Sequence, residues 1–153
     1  RELAAAGARL ALVGLEPERL RALASGSRIR LLPPIPSTEV QPLLAAQYDA
    51  LMAPSQWLET GPLVVLEAFA AGLPVIGSNL GGIAELVTSG TDGLLVEPAD
   101  TGAWTAAMVR LASEPGLLER LREGVRPPKT MADVAIEMEG LYQRLAPAGA
   151  AAH

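Results

Sequence analysis

"PSQWLETGPLVVLEAFAAGLPVIG", Pro54–Gly77, runs from a loop through an apolar helical stretch into a short strand. It places Glu67 between Leu66 and Ala68, inside "LVVLEAFAA". A carboxylate buried there without a partner would be costly or would be pushed to its neutral form. The residues just before it suggest why it is there. Pro62 suits the first position of a helix, where its missing N–H costs nothing and its φ is already helical. With Gly61 as the N-cap, Leu63 and Val64 become the second and third helical residues. Their backbone amides then have no acceptor inside the helix. Free donors at a helix start, together with the helix dipole, form an anion site suited to phosphate.

Glu67 follows Leu63 by four positions, so it shares that face one turn further in. Glu59 precedes the helix, on the loop after the apolar run "ALMA". Both carboxylates are therefore expected to flank one pocket at the carboxyl edge of a sheet, where open α/β sheets bind ligands. A carboxylate accepts hydrogen bonds and donates none. Two of them beside a phosphate-seeking helix end suit a ligand with hydroxyls at both ends and phosphate between, the layout of a nucleotide sugar. The competing reading has Glu67 facing solvent or pairing with an arginine. That fits an isolated glutamate, but the spacing from Glu59 and the helix-start pattern favour the pocket.

Outward from this stretch, short apolar runs alternate with helical patterns. The expected strands are Leu10–Val13, Ile29–Leu32, Ala50–Ala53, Pro74–Gly77 and Gly93–Val96, near-continuous in apolar character as for parallel strands covered on both faces. The expected helices are Pro17–Ala24, Ser37–Ala46, Pro62–Ala71, Gly82–Val87, Thr101–Ala112 with Asp100 as N-cap, Gly116–Leu121 and Thr130–Leu145. The repeated alternation predicts an α/β fold with a doubly wound, Rossmann-like parallel sheet. Residues 1–145 form the expected domain, and the tail 146–153 ends in the only histidine, His153. Arg1–Ala8 reads as the end of a helix with no strand before it, so the chain is expected to be a fragment whose first strand lies elsewhere. In the 3-2-1-4-5-6 order that strand would sit between "LALV" and "ALMA". Those two runs should then pair directly, or expose edges that invite association with another chain.

Composition narrows the function classes. The 153 residues are enough for one domain with a real core. Apolar residues make up 50% and aromatics 3%, so that core is aliphatic. A net charge of −5 with interspersed signs argues against a general nucleic-acid binder. Without cysteine, and with one terminal histidine, neither a Ser–His triad nor a typical zinc site is available. "LVGLEP" lacks the glycine spacing of a dinucleotide fingerprint, and there is no P-loop. No apolar run reaches the roughly 20 residues that span a bilayer, and no signal peptide is seen, so a cytoplasmic domain is the default expectation.

Glu59–(seven residues)–Glu67, inside "PSQWLETGPLVVLEAFAAGLPVIGSNLGGIAELVTSGTDGLLVEP", resembles the C-terminal, donor-binding domain of GT-B glycosyltransferases of family 4. The ordered set of Pro54–Ser55, the glutamate pair, Gly72–Leu73–Pro74–Val75 and Gly81–Gly82 with Glu85 carries the likeness, which covers nearly all but the tail. The resemblance implies a retaining hexosyltransferase using a UDP- or GDP-type sugar, with no metal or other cofactor. Glu59 would contact the transferred hexose and stabilise positive charge as the glycosidic bond breaks. Thr60 and Gly61 would hold sugar hydroxyls through their backbone, with Pro62 beside them. The amides of Leu63 and Val64 would receive the diphosphate, Glu67 both ribose hydroxyls, and the Ile35 main chain the base. Two departures matter. The family commonly has an aromatic and a glycine where this chain has Gly61 and Pro62, and Pro62 removes a donor near the sugar. Its Arg/Lys pair for the diphosphate belongs to a segment this chain lacks, as does its N-terminal acceptor domain, through which any peripheral membrane contact would run. The fragment alone is expected to be inactive.

Other readings stay open beside this one. A non-catalytic nucleotide-binding or assembly domain of the same type is the main alternative. A sugar-nucleotide epimerase would want a histidine-bearing pocket. A phosphorylase would need a cofactor lysine, and Lys129, the only lysine, lies in a Pro-rich loop. Trp57 suits either a wall of the sugar pocket or packing on a neighbouring helix. Gly81–Gly82 suits either a loop closing on the sugar or a tight turn, and Glu85 a brace for that loop. Trp104 and Tyr142 read as core or interface contacts, and Asp92–Gly93 as a turn.

Overall fold

The computed structural model describes residues 10–13 and 29–145. The expected helix Pro17–Ala24, the segment Arg1–Ala8 and the tail 146–153 lie outside the described residues. Strands β1 (Leu10–Val13), β2 (Ile29–Leu32) and β5 (Gly93–Val96) have the expected bounds. Strand β3 (Leu51–Ala53) begins one residue later than expected, and β4 runs Val75–Ser78 rather than Pro74–Gly77. Pro74 has no N–H for a ladder, and its carbonyl instead accepts the Leu51 amide at 3.0 Å as the strand opens.

All observed strand pairs are parallel. β1 pairs with β2, in register from Leu10 opposite Ile29 to Val13 opposite Leu32, and β3, β4 and β5 form a second ladder in that order. These are the neighbours that the doubly wound order requires. Among the described residues no ladder joins β1 to β3, so direct pairing of these two strands, one of the expected alternatives, is not found.

The helices are α1 (Ser37–Gln47), α2 (Leu63–Ala70), α3 (Gly81–Leu86), α4 (Thr101–Ser113), α5 (Leu117–Gly124) and α6 (Met131–Leu145). Their positions follow from the pleat of β4, whose side chains alternate between two faces. Val75 joins an aliphatic cluster with Ala53, Val65, Ala68, Phe69, Leu73, Ile83, Val87 and Val125. Its neighbour Ile76 joins the opposite cluster, with Leu94, Val96, Trp104, Leu117 and Leu121. β4 is thus buried on both sides, α2 and α3 covering one face and α4 and α5 the other. The core is aliphatic, as the composition implied, and its two aromatics are Phe69 and Trp104. Trp104 satisfies its indole N–H on the Glu97 carbonyl at 3.1 Å. Phe69 is 7% exposed on the helix that bears Glu67. Phe69→Ala should therefore cost about 3–5 kcal/mol, read as a lower midpoint in urea at unchanged slope.

Capping explains several boundaries. The Asp100 side chain accepts the Ala103 amide at 2.9 Å, as expected for the N-cap of α4. α5 begins at Leu117 after Gly116, whose φ of 73° is left-handed and suits glycine. α6 opens on a reciprocal box: Thr130 Oγ1 accepts the Asp133 amide at 3.2 Å, and Asp133 Oδ2 accepts the Thr130 amide at 2.8 Å. α6 has no buried side chain, so Tyr142 is 63% exposed and not a core contact.

The Thr130 hydroxyl, then its amide, holds the Asp133 carboxyl below the ordinary aspartate range. A folded pKa below the unfolded one stabilises at pH above the unfolded value and is lost as pH falls through the folded value. The box should therefore hold near neutrality and fail only on acidification below the ordinary aspartate range. Far-ultraviolet circular dichroism should show α6 fraying in that acid window, and Asp133→Asn should remove the acid-dependent component.

Candidate functional site

The site is built on the connection from β3 to α2. Its first turn is set by Ser55, whose Oγ accepts the Trp57 amide at 3.3 Å and donates to the Trp57 carbonyl at 3.4 Å. Glu59 is half-buried, and its carbonyl accepts the Gly82 amide at 2.7 Å. This bond ties the acidic loop to the start of α3, on the connection that follows β4. The approach is close enough to demand glycine. A Cβ at Gly82 would lie 2.6 Å from the Glu59 carbonyl oxygen and 3.1 Å from Pro62 Cδ. Gly81 adopts φ 51°, another conformation that favours glycine. The glycine pair is therefore a tight turn that props the acidic loop.

The helix start differs by one residue from the expectation. Pro62, not Gly61, is the N-cap, and Leu63 is the first helical residue. Pro62 has the helical φ that its ring imposes, −71°, but an extended ψ of 92°. Its ring is buried beside Gly82, and its carbonyl accepts the Val65 amide at 3.0 Å. Leu63 and Val64 are accordingly the first and second helical residues. Among the described residues neither of their amides finds an acceptor, so both free donors survive the shift.

α2 divides its faces sharply. Val65, Ala68 and Phe69 are buried, whereas Leu63 and Val64 are 70% and 47% exposed. Glu67 shares the open face with them and is half-buried. Among the described residues no cation or hydrogen-bond donor reaches the side chain of Glu59 or of Glu67, so the arginine-paired alternative for Glu67 is not seen. The charged groups with defined partners are engaged elsewhere: Arg122 with Asp49 at 2.8 Å, Arg110 and Arg120 with Glu114, and Lys129 with Glu137.

Thr60 and Gly61 are exposed on the same loop, and a Cβ at Gly61 would meet nothing within 4 Å. Ile35 is half-buried in the irregular segment after the carboxyl end of β2 and before α1. Gln41 of α1 donates to the Ala70 carbonyl of α2 at 2.9 Å, fastening the two helices. Glu85 is exposed and its side chain makes no hydrogen bond among the described residues, so no bracing contact is seen there. Trp57 is 81% exposed, so packing on a neighbouring helix is not seen among the described residues. The clearest residue that sequence reasoning left undecided is Gly82. Its signal was the Gly81–Gly82 dipeptide at a helix start, which does not say what backbone lies opposite.

Comparison with known proteins places this geometry. The family model for glycosyl transferases group 1 matches residues 1–114. The chain is similar to D-inositol 3-phosphate glycosyltransferase of Rhodococcus opacus, 40% identical over 111 residues, covering 69% of this chain and 24% of the relative. The enzyme of that name from Thermomonospora curvata is 37% identical over 123 residues, covering 75% of this chain and 27% of the relative. The chain thus spans about a quarter of the length of these relatives. Among solved structures, sucrose-phosphate synthase from Thermosynechococcus elongatus superposes with a TM-score of 0.73 at 30% identity, over 94% of this chain and 41% of that one. Anabaena HepE, in complex with UDP and glucose, superposes at 0.72 with 20% identity, over 93% and 43%, a likeness of fold.

Proposed function

Since the chain belongs to the group 1 glycosyl transferase family, we propose that it is the donor-binding half of a retaining enzyme that moves a hexose from a nucleotide-diphospho sugar to an acceptor. One observation carries this reading. Among the described residues, two half-buried carboxylates without protein partners lie on the loop before a helix and on that helix's open face, and the first two amides of the helix have no acceptor. In this reading Glu67 accepts hydrogen bonds from both ribose hydroxyls. The Leu63 and Val64 amides, with the positive end of α2, take the diphosphate charge. Glu59 faces the hexose, beside the Thr60 and Gly61 backbone and the Pro62 ring, and Ile35 offers its main chain to the base.

The chemistry follows from where charge develops. As the bond from the anomeric carbon to the diphosphate oxygen breaks, negative charge grows on the phosphate and positive charge on the sugar ring. Amides fixed at the helix mouth meet the first, and the Glu59 carboxylate meets the second. The acceptor hydroxyl attacks the face the diphosphate leaves, passing its proton to the departing oxygen. The scheme requires no metal. It does need an acceptor site and cations at the diphosphate. Among the described residues no helix is long and apolar enough to cross a membrane.

Titration calorimetry of the 153-residue chain with UDP, GDP and their hexose conjugates tests the proposal. Saturable binding by one nucleoside diphosphate is the expected result, and no binding by any of them would overturn it. A second reading, an assembly domain without catalysis, draws on the edges of β1 and β3 that carry no ladder among the described residues. It predicts self-association on sedimentation with no response to nucleotide.

A further inference from the structure

We propose that Trp57 is the stacking platform for a pyranose ring at the Glu59 loop, an inference that rests on the sugar-facing role given to Glu59. The two tryptophans of the chain have opposite surroundings. Trp104 is 7% exposed, with its indole N–H on the Glu97 carbonyl. Trp57 is 81% exposed, and among the described residues nothing accepts its indole N–H. It does not stand alone: Leu58 is 77% exposed beside it, and Leu63 opens the helix that follows. An apolar rim therefore adjoins the loop that carries Glu59, a carboxylate with no partner among the described residues.

The span that carries Trp57 is held at both ends. The Ser55 hydroxyl fixes the backbone at Trp57, and the Gly82 amide fixes it at Glu59. Trp57 and Glu59 are two positions apart, with only Leu58 between them, so their Cα atoms lie within about 7.6 Å of each other. An exposed indole on a pinned backbone pays little ordering entropy when a ligand covers it. The ligand chemistry follows from the mixture. A pyranose has an axial C–H face, electropositive enough to lie on the negative face of an aromatic ring. Its rim of hydroxyls needs acceptors, which the Glu59 carboxylate offers, and can accept from the indole N–H. A purely apolar partner would leave the carboxylate desolvated, and a purely polar one would not cover Trp57. The pyranose could come from the donor or from a sugar acceptor, and the two are separable.

The test reads Trp57 emission in the 153-residue chain as the difference between the parent and Trp57→Phe. UDP, UDP-glucose, GDP and GDP-mannose are titrated singly, then methyl α-glucoside in the presence of the diphosphate that binds. A blue shift with the sugar conjugate but not the bare diphosphate assigns the platform to the donor sugar. A shift only on adding the glucoside assigns it to the acceptor. Trp57→Ala should then weaken that sugar-dependent step about fivefold to tenfold, with Trp57→Tyr restoring most of it. A shift with the bare diphosphate would overturn the proposal, because the indole would then be reading the base. Diphosphate binding in the calorimeter with no emission change in any arm would overturn it while leaving the donor-site reading intact. No binding at all would sink both.

Discussion

The Glu67→Ala chain should bind UDP or GDP at least about a hundredfold more weakly than the parent. Two ribose hydroxyls donating to one carboxylate make two charge-assisted hydrogen bonds, each worth about 1.5–3 kcal/mol. Their loss exceeds the roughly 2.7 kcal/mol that corresponds to two decades in Kd. Glu67→Gln keeps one acceptor oxygen without the charge and should fall between. Folding should be nearly untouched in both variants, because Glu67 has no side-chain partner among the described residues and substitutions of that kind stay within about 0.5 kcal/mol. Calorimetry and thermal melts on the same samples therefore separate ligand loss from unfolding. Equal affinity in the parent and Glu67→Ala would remove Glu67 from the site.

The second large effect should come from a residue with no functional side chain. Gly82→Val should destabilise the domain by roughly 2–6 kcal/mol, the sum of overpacking and a buried amide that loses its acceptor. The obstacle is backbone: the new Cβ would start 2.6 Å from the Glu59 carbonyl oxygen, so the loop itself must move. Nucleoside diphosphate binding at the α2 amides should persist in the folded fraction, while the extra affinity of a sugar conjugate should vanish as Glu59 is displaced. Gly61→Ala is the steric control. No atom lies within 4 Å of its added methyl, so its Tm should match the parent. A Gly82→Val chain as stable as the parent would mean the two loops are not held as described.

The contrast between Glu67 and Gly82 shows what kind of feature is legible in a linear chain. Glu67, the free amides of Leu63 and Val64, and the Asp100 cap all follow from spacing within one or two turns. So do the bounds of β1, β2 and β5, because a short apolar run between turn residues has few ways to be buried. The start of α2 was misplaced by one residue, though Pro62 is local. Its φ is intrinsic to the ring, but its extended ψ is not, and the ring lies close to Gly82, which arrives from another connection.

The sequence by itself determined the α/β alternation, the aliphatic core and the family pattern of the acidic loop, since each rests on periodicity, composition or near-neighbour spacing. Only the tertiary structure decided that Glu59 hangs from the Gly82 amide, that Trp57 faces solvent, and that α6 buries nothing. The parallel pairing of β3 with β4 brings the connection after each strand side by side, and no run of residues within either connection encodes what it will meet there. Contacts between segments distant in sequence depend on the sheet order that juxtaposes them, whereas caps and apolar periods depend on residues within a turn or two of one another.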